Sequence, residues 1–257
     1  MTVPSSQLIA ELSTLLGDAE PSGVVMAFDG DGTLWSGDVG EDLFRAALRD
    51  NFLLEAALPA LLAEAEQHAL PLNGARDANA VASVLVAAYL AGTYPEREIC
   101  ALMAWAYAGR PLSEVQALAE SVLAEERLPT RLHVELAPIL EWSRNLGVRN
   151  VLISASPRVV VEPAAALWGF APSDVVAATP AVAEGRVQAR LAAPVPYAEA
   201  KVSAGRELFG DARWLASFGD NVFDVDMLTT AELGVAVRPK PRLATELGAL
   251  GLRLLAR

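Results

Sequence analysis

Residues 24–35, Val-Val-Met-Ala-Phe-Asp-Gly-Asp-Gly-Thr-Leu-Trp, decide the fold of this chain. A short apolar run ends at Phe28 and is followed at once by two aspartates, Asp29 and Asp31, with one glycine between them. Short apolar runs bounded by glycine are typical of strands buried on both faces, as in parallel sheets covered by helices. Ligands bind such sheets beyond the carboxyl ends of the strands, so we expect both aspartates at that edge.

The pair Asp29 and Asp31 needs a neutralising partner. Two carboxylates this close repel each other unless a cation lies between them or one of them keeps its proton. Mg²⁺ is a hard, oxygen-preferring ion that suits such a pair, and Gly30 and Gly32 allow the backbone to approach a ligand closely. The alternative interpretation is a strand followed by an acidic turn, because Asp and Gly are ordinary turn residues.

The composition limits the kinds of partner. The chain has 257 residues, of which 53% are apolar, and carries a formal net charge of −12. That length fits one large domain or a core with an insertion. The acidic balance argues against nucleic acid or an anionic membrane as a partner, because both require a basic surface. A phosphate site would therefore need its own local cations. The composition gives no indication of the oligomeric state.

Cysteine content and apolar patterning indicate the compartment. The single cysteine, Cys100, excludes an internal disulfide framework and a cysteine-based zinc site. The first residues carry no basic segment followed by an apolar one, and no apolar run reaches the ~20 residues of a membrane span. We therefore expect a cytoplasmic protein.

The segment 38–130 has an almost purely helical pattern, rich in Ala, Leu and Glu and interrupted by prolines. We predict four or more helices and no strand in this segment. The alternation of strands and helices resumes after it. The predicted fold is therefore α/β, with a Rossmann-like parallel-sheet core at 1–37 and 131–257. An all-helical cap at 38–130 is expected to act as a lid over the strand ends.

A second buried strand, predicted at 148–153, leads into Ser154-Ala155-Ser156-Pro157-Arg158. Small hydroxyl residues followed by proline at a helix start favour a helix N-terminus that faces an anion. Ser154 lies where the strand ends, so its hydroxyl is a candidate to bind a phosphate oxygen. The alternative is that Ser154 and Ser156 only cap the helix.

Lys201 lies in the first turn of a helix predicted at 198–209. A cation there opposes the helix dipole, and local conflicts of this kind are common at functional sites. A flexible ammonium near the strand ends can bind a carboxylate and a phosphate together. The alternative is an ordinary surface lysine.

A third buried strand, predicted at 214–218, leads into Gly219-Asp220-Asn221-Val222-Phe223-Asp224. Asp220 is placed at the strand end and Asp224 four residues further, which puts both on one face of a helix. We also predict a hairpin or two short strands at 175–178 and 186–191, and a last strand at 233–237 before a terminal helix.

Taken together and in this order, these stretches resemble the motifs of the haloacid dehalogenase superfamily of phosphohydrolases. The elements are hydrophobic-D-x-D-G-T at 28–33, a strand ending in Ser154, the lone Lys201, and G-D-x-x-x-D at 219–224. The helical insertion resembles the C1-type cap of that superfamily. The runs at 154–158, 184–185 and 220–221 resemble its phosphoserine phosphatase-like branch.

Two departures from that branch bear on the substrate. The second motif is Ser-Ala-Ser where phosphoserine phosphatases commonly have Ser-Gly-Gly, and Asp38 stands where they carry a glutamate that helps bind the substrate amine.

The resemblance implies a catalytic role for each matching residue. Asp29 would be the nucleophile, Asp31 the general acid and base, and Lys201 the cation at the transferring phosphoryl group. Mg²⁺ would be held by Asp29, the Asp31 backbone carbonyl and Asp220, with Asp224 orienting the shell. The resemblance further indicates phosphate- or substrate-binding positions at Gly30, Gly32, Thr33, Asp38, Ser154, Ala155, Arg158, Lys201 and Asn221.

The function implied is a Mg²⁺-dependent phosphatase that acts on a small phosphomonoester through an aspartyl-phosphate. The superfamily's dehalogenases and P-type ATPases lack an acid two residues after the nucleophile, so Asp31 favours a phosphatase or a phosphomutase. Asp38 could pair with an amine on the substrate, and Trp35 could offer a cation–π face; the alternatives are a loop cap and a packing residue. A phosphotransferase or phosphomutase, or a non-catalytic phosphate-binding module, stays open.

Overall fold

The computed structural model describes residues 2–257, and a seven-stranded sheet forms the centre of the fold. Every pair of neighbouring strands in this sheet runs parallel. Across the sheet the strands follow in the order β1 (Thr2–Val3), β9 (Arg253–Leu255), β8 (Leu233–Ala236), β7 (Arg213–Gly219), β2 (Val24–Phe28), β3 (Arg149–Pro157) and β4 (Val175–Ala178). The predicted α/β fold with a Rossmann-like parallel sheet is confirmed.

Strand β2 lies between β7 and β3 and is buried along its whole length. Its last residue, Phe28, is in register with Phe218 on one side and Leu152 on the other. The rings of Phe28 and Phe218 stack with their centroids 4.4 Å apart. Strands β2 and β7 end at nearly the same level, and β3 continues past them to Pro157. The residues at these strand ends therefore meet at one edge of the sheet.

Eleven α-helices occur in the described residues, and five of them lie within residues 38–130, where no strand occurs, as predicted. The five are α2 (Val39–Arg49), α3 (Leu58–Gln67), α4 (Ala78–Leu90), α5 (Glu96–Trp105) and α6 (Leu112–Glu125). The others are α1 (Ser5–Leu16), α7 (Ala137–Leu146), α8 (Arg158–Ala166), α9 (Ala200–Phe209), α10 (Val225–Thr230) and α11 (Pro241–Glu246). The division into core and cap after 37 and 130 stays a prediction.

The two chain segments that enter and leave the five-helix region lie side by side. The backbone N–H of Ser36 donates to the carbonyl of Arg131, and the Arg131 guanidinium donates back to the Ser36 carbonyl at 2.7 Å. The same guanidinium forms an ion pair with the buried Asp42 of α2 at 2.7 Å. Both connections are therefore fixed by one arginine.

A separate antiparallel hairpin, β5 (Pro180–Ala183) and β6 (Arg186–Leu191), joins the sheet to the five-helix region. Its backbone exchanges three hydrogen bonds with residues 109–112: Gly109 donates to Val187, Val187 to Arg110, and Leu112 to Gly185. The Arg186 guanidinium adds a fourth bond, to the Gly109 carbonyl at 2.7 Å.

Three sequence predictions need correction. Residues 175–178 and 186–191 are two short strands, as one of the two predicted alternatives has it, but they do not form a hairpin with each other. Residues 175–178 pair with β3, and the hairpin partner of β6 is 180–183. The strand at 233–236 is not the last, because the three-residue β9 follows α11 and pairs with β8. The sequence pattern also predicts a helix at 131–146, but this helix begins only at Ala137, after two short 3₁₀ turns.

Within residues 2–257, no helix combines the length and the hydropathy that a membrane crossing requires.

Candidate active site

Three buried aspartates from two strand ends form a compact acidic cluster. Asp29 follows β2, Asp220 follows β7, and Asp224 lies one turn beyond Asp220. One carboxylate oxygen from each of the three lies within 4.8 Å of the others. Like charges this close in a buried place require cations nearby.

Lys201, the second residue of α9, supplies one such cation and is only 4% exposed. Its Nζ donates to Asp29 Oδ1 at 2.6 Å and to Asp224 Oδ1 at 2.5 Å. Burial opposes the charge on this lysine, but Asp224 and Asp29 outweigh burial and raise its pKa. One ammonium among three carboxylates still leaves the cluster with an excess of negative charge.

The pKa values of the acids reflect that excess. Burial and the neighbouring Asp224 raise the pKa of Asp29 well above its usual range, although Lys201 opposes the change. Burial and Asp224 likewise raise the pKa of Asp220 to about 7. Both acids thus favour a proton, or a further cation, in place of a bare negative charge.

The donor set fits a hard divalent cation. The ligating atoms are carboxylate oxygens, which Mg²⁺ and Ca²⁺ prefer, and no histidine or cysteine joins the cluster among the described residues. Asp224 is the least available ligand, because its Oδ2 accepts the backbone N–H groups of Asp220 and Asn221 and its Oδ1 accepts Lys201. Asp29 and Asp220 keep more lone pairs free to bind an ion.

The loop after β2 needs glycine where it passes the cluster. Gly32 has φ of +83°, a left-handed conformation that side chains rarely adopt. A Cβ atom at this position would collide with the Asp220 carboxylate. The backbone of the loop therefore lies directly against the acidic cluster. Thr33, the next residue, donates its hydroxyl to Asp29 Oδ2 at 3.1 Å.

Asp31 lies beside the cluster and has its own hydrogen bonds. Its Oδ1 accepts the indole N–H of Trp35 and the backbone N–H of Val39, each at 2.8 Å. Its Oδ2 accepts the Ser156 hydroxyl at 2.7 Å. The two N–H groups at Oδ1 can only donate, whereas a hydroxyl can turn and accept. A proton on Asp31 would therefore be carried by Oδ2.

The remaining predicted phosphate-binding positions differ in their placement. Ser154, Ala155 and Asn221 line the same pocket as the acidic cluster. The Ser154 hydroxyl accepts the backbone N–H of Ser156 at 3.1 Å, and the Asn221 side chain caps the short turn at Val222–Asp224. The backbone of β3 extends to Pro157, so neither serine caps α8.

Two residues predicted to contact the substrate do not line this pocket. The Arg158 guanidinium points to Glu162 and the Pro172 carbonyl, at 2.6 and 2.8 Å, and does not line this pocket. Trp35 is fully buried and its ring packs against Gly30, so it offers no face to a ligand in the pocket. Trp35 is a packing residue that also donates to Asp31.

Asp38 both caps a helix and faces the pocket, although the sequence presents the cap and the substrate contact as alternatives. Its Oδ1 accepts the Glu41 backbone N–H at 2.8 Å and caps α2, and its side chain also lines the pocket. Burial and the nearby Asp31 raise its pKa well above the usual range. Unlike the cluster, which has Lys201, this carboxylate has no ion-pair partner among the described residues.

Sequence reasoning missed six residues that line the pocket: Glu96, Cys100, Ser156, Tyr197, Phe223 and Lys240. Burial raises the pKa of Glu96, with Lys240 opposing the change. The Lys240 ammonium lies 3.6 Å from Asp220 Oδ2. The sequence holds a weak signal for Glu96 and Lys240, because each follows a proline, Pro95 or Pro239, at the start of a helix.

The cluster of aspartates and a lysine lies at the carboxyl edge of a parallel sheet, and helices inserted after the central strand cover it. This arrangement is that of a hydrolase of the Rossmann-like α/β class. The chain belongs to the haloacid dehalogenase-like hydrolase family, whose profile matches residues 26–229. The resemblance on which the sequence predictions rested is thereby confirmed. A comparison with curated protein sequences found no match.

Solved structures share the fold over most of the chain. A protein of unknown function from Bordetella pertussis Tohama I is 20% identical with a TM-score of 0.71, over 91% of this chain and 98% of that one. A substrate-bound phosphoserine phosphatase is 14% identical with a TM-score of 0.51, over 90% and 91%. A cytosolic 5′-nucleotidase IIIB bound to cytidine is 12% identical with a TM-score of 0.57, over 97% and 84%. The chain therefore has the fold of the family's phosphatases.

Proposed function

We propose that this protein is a Mg²⁺-dependent phosphatase that hydrolyses a small phosphomonoester, with Asp29 as the nucleophile. The observation that carries the proposal is the arrangement of Asp29 itself. Its carboxylate is buried at the end of the central strand, with Lys201 at one oxygen and Thr33 at the other. The raised pKa values of Asp29 and Asp220 fit a site completed by a cation.

The reaction consists of two displacements at phosphorus. In the first, a carboxylate oxygen of Asp29 bonds to phosphorus while the ester P–O bond breaks, and the departing oxygen takes a proton from Asp31. In the second, water attacks the aspartyl-phosphate while Asp31 takes one of its protons. The bond between phosphorus and Asp29 then breaks and releases phosphate. Asp31 thus returns to its protonated state.

The hydrogen bonds at Asp31 suit that exchange. Because Oδ1 is occupied by two N–H donors, the mobile proton belongs on Oδ2, next to Ser156. The Ser156 hydroxyl donates when Asp31 is ionised and can turn to accept when Asp31 is protonated. Ser156 can thus stabilise either state without moving the carboxyl group.

Mg²⁺ would be held by Asp29, the backbone carbonyl of Asp31 and Asp220, with Asp224 orienting the shell. When bound, it would neutralise charge on the transferring phosphoryl group. Lys201 contributes the second positive charge, and Ser154 with the backbone N–H of Asp31 would bind phosphoryl oxygens. Phosphoryl transfer depends mainly on such positioning and neutralisation.

The pocket wall favours an amino-alcohol phosphate such as phosphoserine, phosphoethanolamine or phosphocholine. Asp38 and Glu96 both line the pocket, and burial raises the pKa of each. Two poorly solvated carboxylates are stabilised by a cationic group on the bound molecule. Lys240 lies on the same wall and would favour substrates that also carry a carboxylate.

The test is phosphate release from a panel of phosphomonoesters, each with Mg²⁺ and with EDTA. The panel contains phosphoserine, phosphoethanolamine, phosphocholine, sugar phosphates and nucleotides. Mg²⁺-dependent release that disappears in Asp29→Asn supports the proposal. Release by Asp29→Asn at a rate near that of the wild type overturns Asp29 as the nucleophile. Phosphorylation of an added acceptor without free phosphate identifies a transferase instead.

A further inference from the structure

His133 is not among the predicted site residues, and it lies behind the loop that carries the proposed nucleophile. Its side chain is 2% exposed. Ring atom Nδ1 lies 2.8 Å from the Thr33 carbonyl oxygen, and the His133 backbone N–H donates to the Leu34 carbonyl at 3.0 Å. A carbonyl oxygen can only accept, so Nδ1 must carry a proton in this contact.

Thr33 connects this ring to Asp29. The Thr33 hydroxyl donates to Asp29 Oδ2 at 3.1 Å, while its backbone N–H donates to the Gly30 carbonyl at 3.1 Å. Two hydrogen bonds therefore separate the imidazole from the carboxylate: His133 to the Thr33 carbonyl, and the Thr33 hydroxyl to Asp29. The ring touches neither the pocket nor the acidic cluster.

The other ring nitrogen fits a neutral imidazole. His133 Nε2 is buried and has no hydrogen-bond partner within residues 2–257. Burial and the nearby Arg238 lower the pKa of His133, which disfavours the doubly protonated ring. A neutral ring with its proton on Nδ1 leaves Nε2 as an acceptor and avoids a buried unpaired N–H donor.

We propose that His133 is a positioning residue, which holds Thr33 and through it orients the Asp29 carboxylate for attack on phosphorus. The inference rests on the proposed function, in which Asp29 is the nucleophile. Loss of the Nδ1 donor leaves the Thr33 carbonyl without its buried partner, and the loop relaxes to find another one. Small displacements of a reacting group lower the rate of the chemical step far more than they lower substrate binding.

Three substitutions of His133 distinguish the effect of losing the Nδ1 hydrogen-bond donor from the effect of changing the size and shape of the side chain. His133→Asn can place an amide N–H near the position of Nδ1, whereas His133→Gln places it further out, near Nε2. His133→Phe keeps a planar ring and removes both nitrogens. We expect kcat to fall about tenfold or more in the Gln and Phe variants, with KM changed less than about threefold, and we expect the Asn variant to retain most of kcat.

Trp168→Phe is the matched control. The Trp168 indole donates to the Leu34 carbonyl at 3.1 Å, one residue beyond Thr33, and Leu34 has no side-chain bond to Asp29. Trp168→Phe should lower the free energy of unfolding while kcat falls much less than in His133→Gln. If kcat falls alike in the two variants and follows the loss of stability, His133 has only a structural role and the proposal is wrong.

The ring tautomer gives a test that needs no turnover. Nitrogen NMR of ¹⁵N-histidine-labelled protein should show His133 neutral, with its proton on Nδ1, between pH 6 and 8. A proton on Nε2 with none on Nδ1 overturns the inference whatever the activity. If the wild type hydrolyses nothing in the panel, the proposed function fails, and the tautomer alone then decides whether His133 holds Thr33. A His133→Gln variant with the kcat of the wild type overturns the positioning role directly.

Discussion

The ammonium group of Lys201 lies 2.6 Å from Oδ1 of Asp29, although the two residues are 172 positions apart and both are buried. The contact joins the start of α9 to the end of β2. It places a fixed positive charge on the carboxylate that we propose as the nucleophile. Lys201 donates to two of the three acids of the cluster, Asp29 and Asp224, and the third, Asp220, lies 3.6 Å from the Lys240 ammonium.

Lys201→Met should destabilise the fold and abolish turnover. The substitution leaves Asp29 and Asp224 buried without their common cation, a change that typically costs about 3 to 5 kcal/mol. Urea unfolding in EDTA measures the loss of stability. Asp29→Asn is the comparison variant, since it removes one of the repelling charges. It should abolish turnover but leave the free energy of unfolding equal or higher. A Lys201→Met protein as stable as the wild type would contradict this account.

The stability of the protein in EDTA should fall as the pH rises from about 4 to about 7. The pKa of Asp220 is about 7 in the folded state against 3.8 for the ordinary side chain. Between these values the folded state keeps a proton that the unfolded state has released, so unfolding becomes easier with increasing pH. Urea unfolding at a series of pH values gives the slope, which should be less negative in Asp220→Asn.

Asp226→Asn is the control for that measurement, because Asp226 lies on the same stretch but is exposed. Titrating groups elsewhere contribute equally to all three proteins and cancel in the comparison. Identical slopes for Asp220→Asn and the wild type would show that Asp220 keeps an ordinary pKa in the folded protein.

Mg²⁺ should raise the stability of the wild type above pH 7. An ion that binds only the folded state stabilises it by RT ln(1 + [L]/Kd), or about 2.7 kcal/mol when its concentration is a hundred times Kd. The effect should be lost in Asp220→Asn and kept in Asp226→Asn. Thermal unfolding against Mg²⁺ concentration is the measurement. Equal stabilisation of both variants would mean that the ion binds elsewhere.

Substitution of Asp38 should separate helix capping from recognition of a cationic substrate. Asparagine caps helices about as well as aspartate, whereas alanine at such a position costs about 1 kcal/mol. Asp38→Asn should therefore keep the stability of the wild type, and Asp38→Ala should not. Both should lose preference for amino-phosphates over sugar phosphates, measured as the ratio of kcat/KM values. Unchanged preference in Asp38→Asn would exclude an ion pair between Asp38 and the substrate.

Much of the site follows from a property of parallel sheets. Because neighbouring strands run in one direction, residues that follow them share an edge, and this brings Asp29, Ser154 and Asp220 into one pocket from three distant places in the sequence. Local pattern also shows where β2, β3 and β7 lie, since each contains a short run that is mostly apolar. Lys201 was found from a local conflict with its own helix.

The parts that were missed depend on tertiary contacts. Strand β9 has only three residues and forms because β8 and β1 lie beside it. Three residues are too few to show the alternation of apolar and polar side chains that predicts a strand. Strand β4 pairs directly with β3, from which α8 separates it along the chain. A local sequence pattern cannot show which partner a strand takes. Arg158 is instructive, because Glu162 at i+4 was visible in the sequence and holds the guanidinium away from the pocket.

The hairpin β5–β6 connects the five-helix region to the proposed catalytic lysine. Its three backbone hydrogen bonds to residues 109–112 attach it to the five-helix region, and its far end continues through residues 192–199 into α9 and Lys201. Helices that moved outward would either break those bonds or pull the hairpin with them. In the second case the displacement would travel along the chain to the ammonium group beside Asp29. The same motion would then open the pocket and move the Lys201 ammonium away from Asp29.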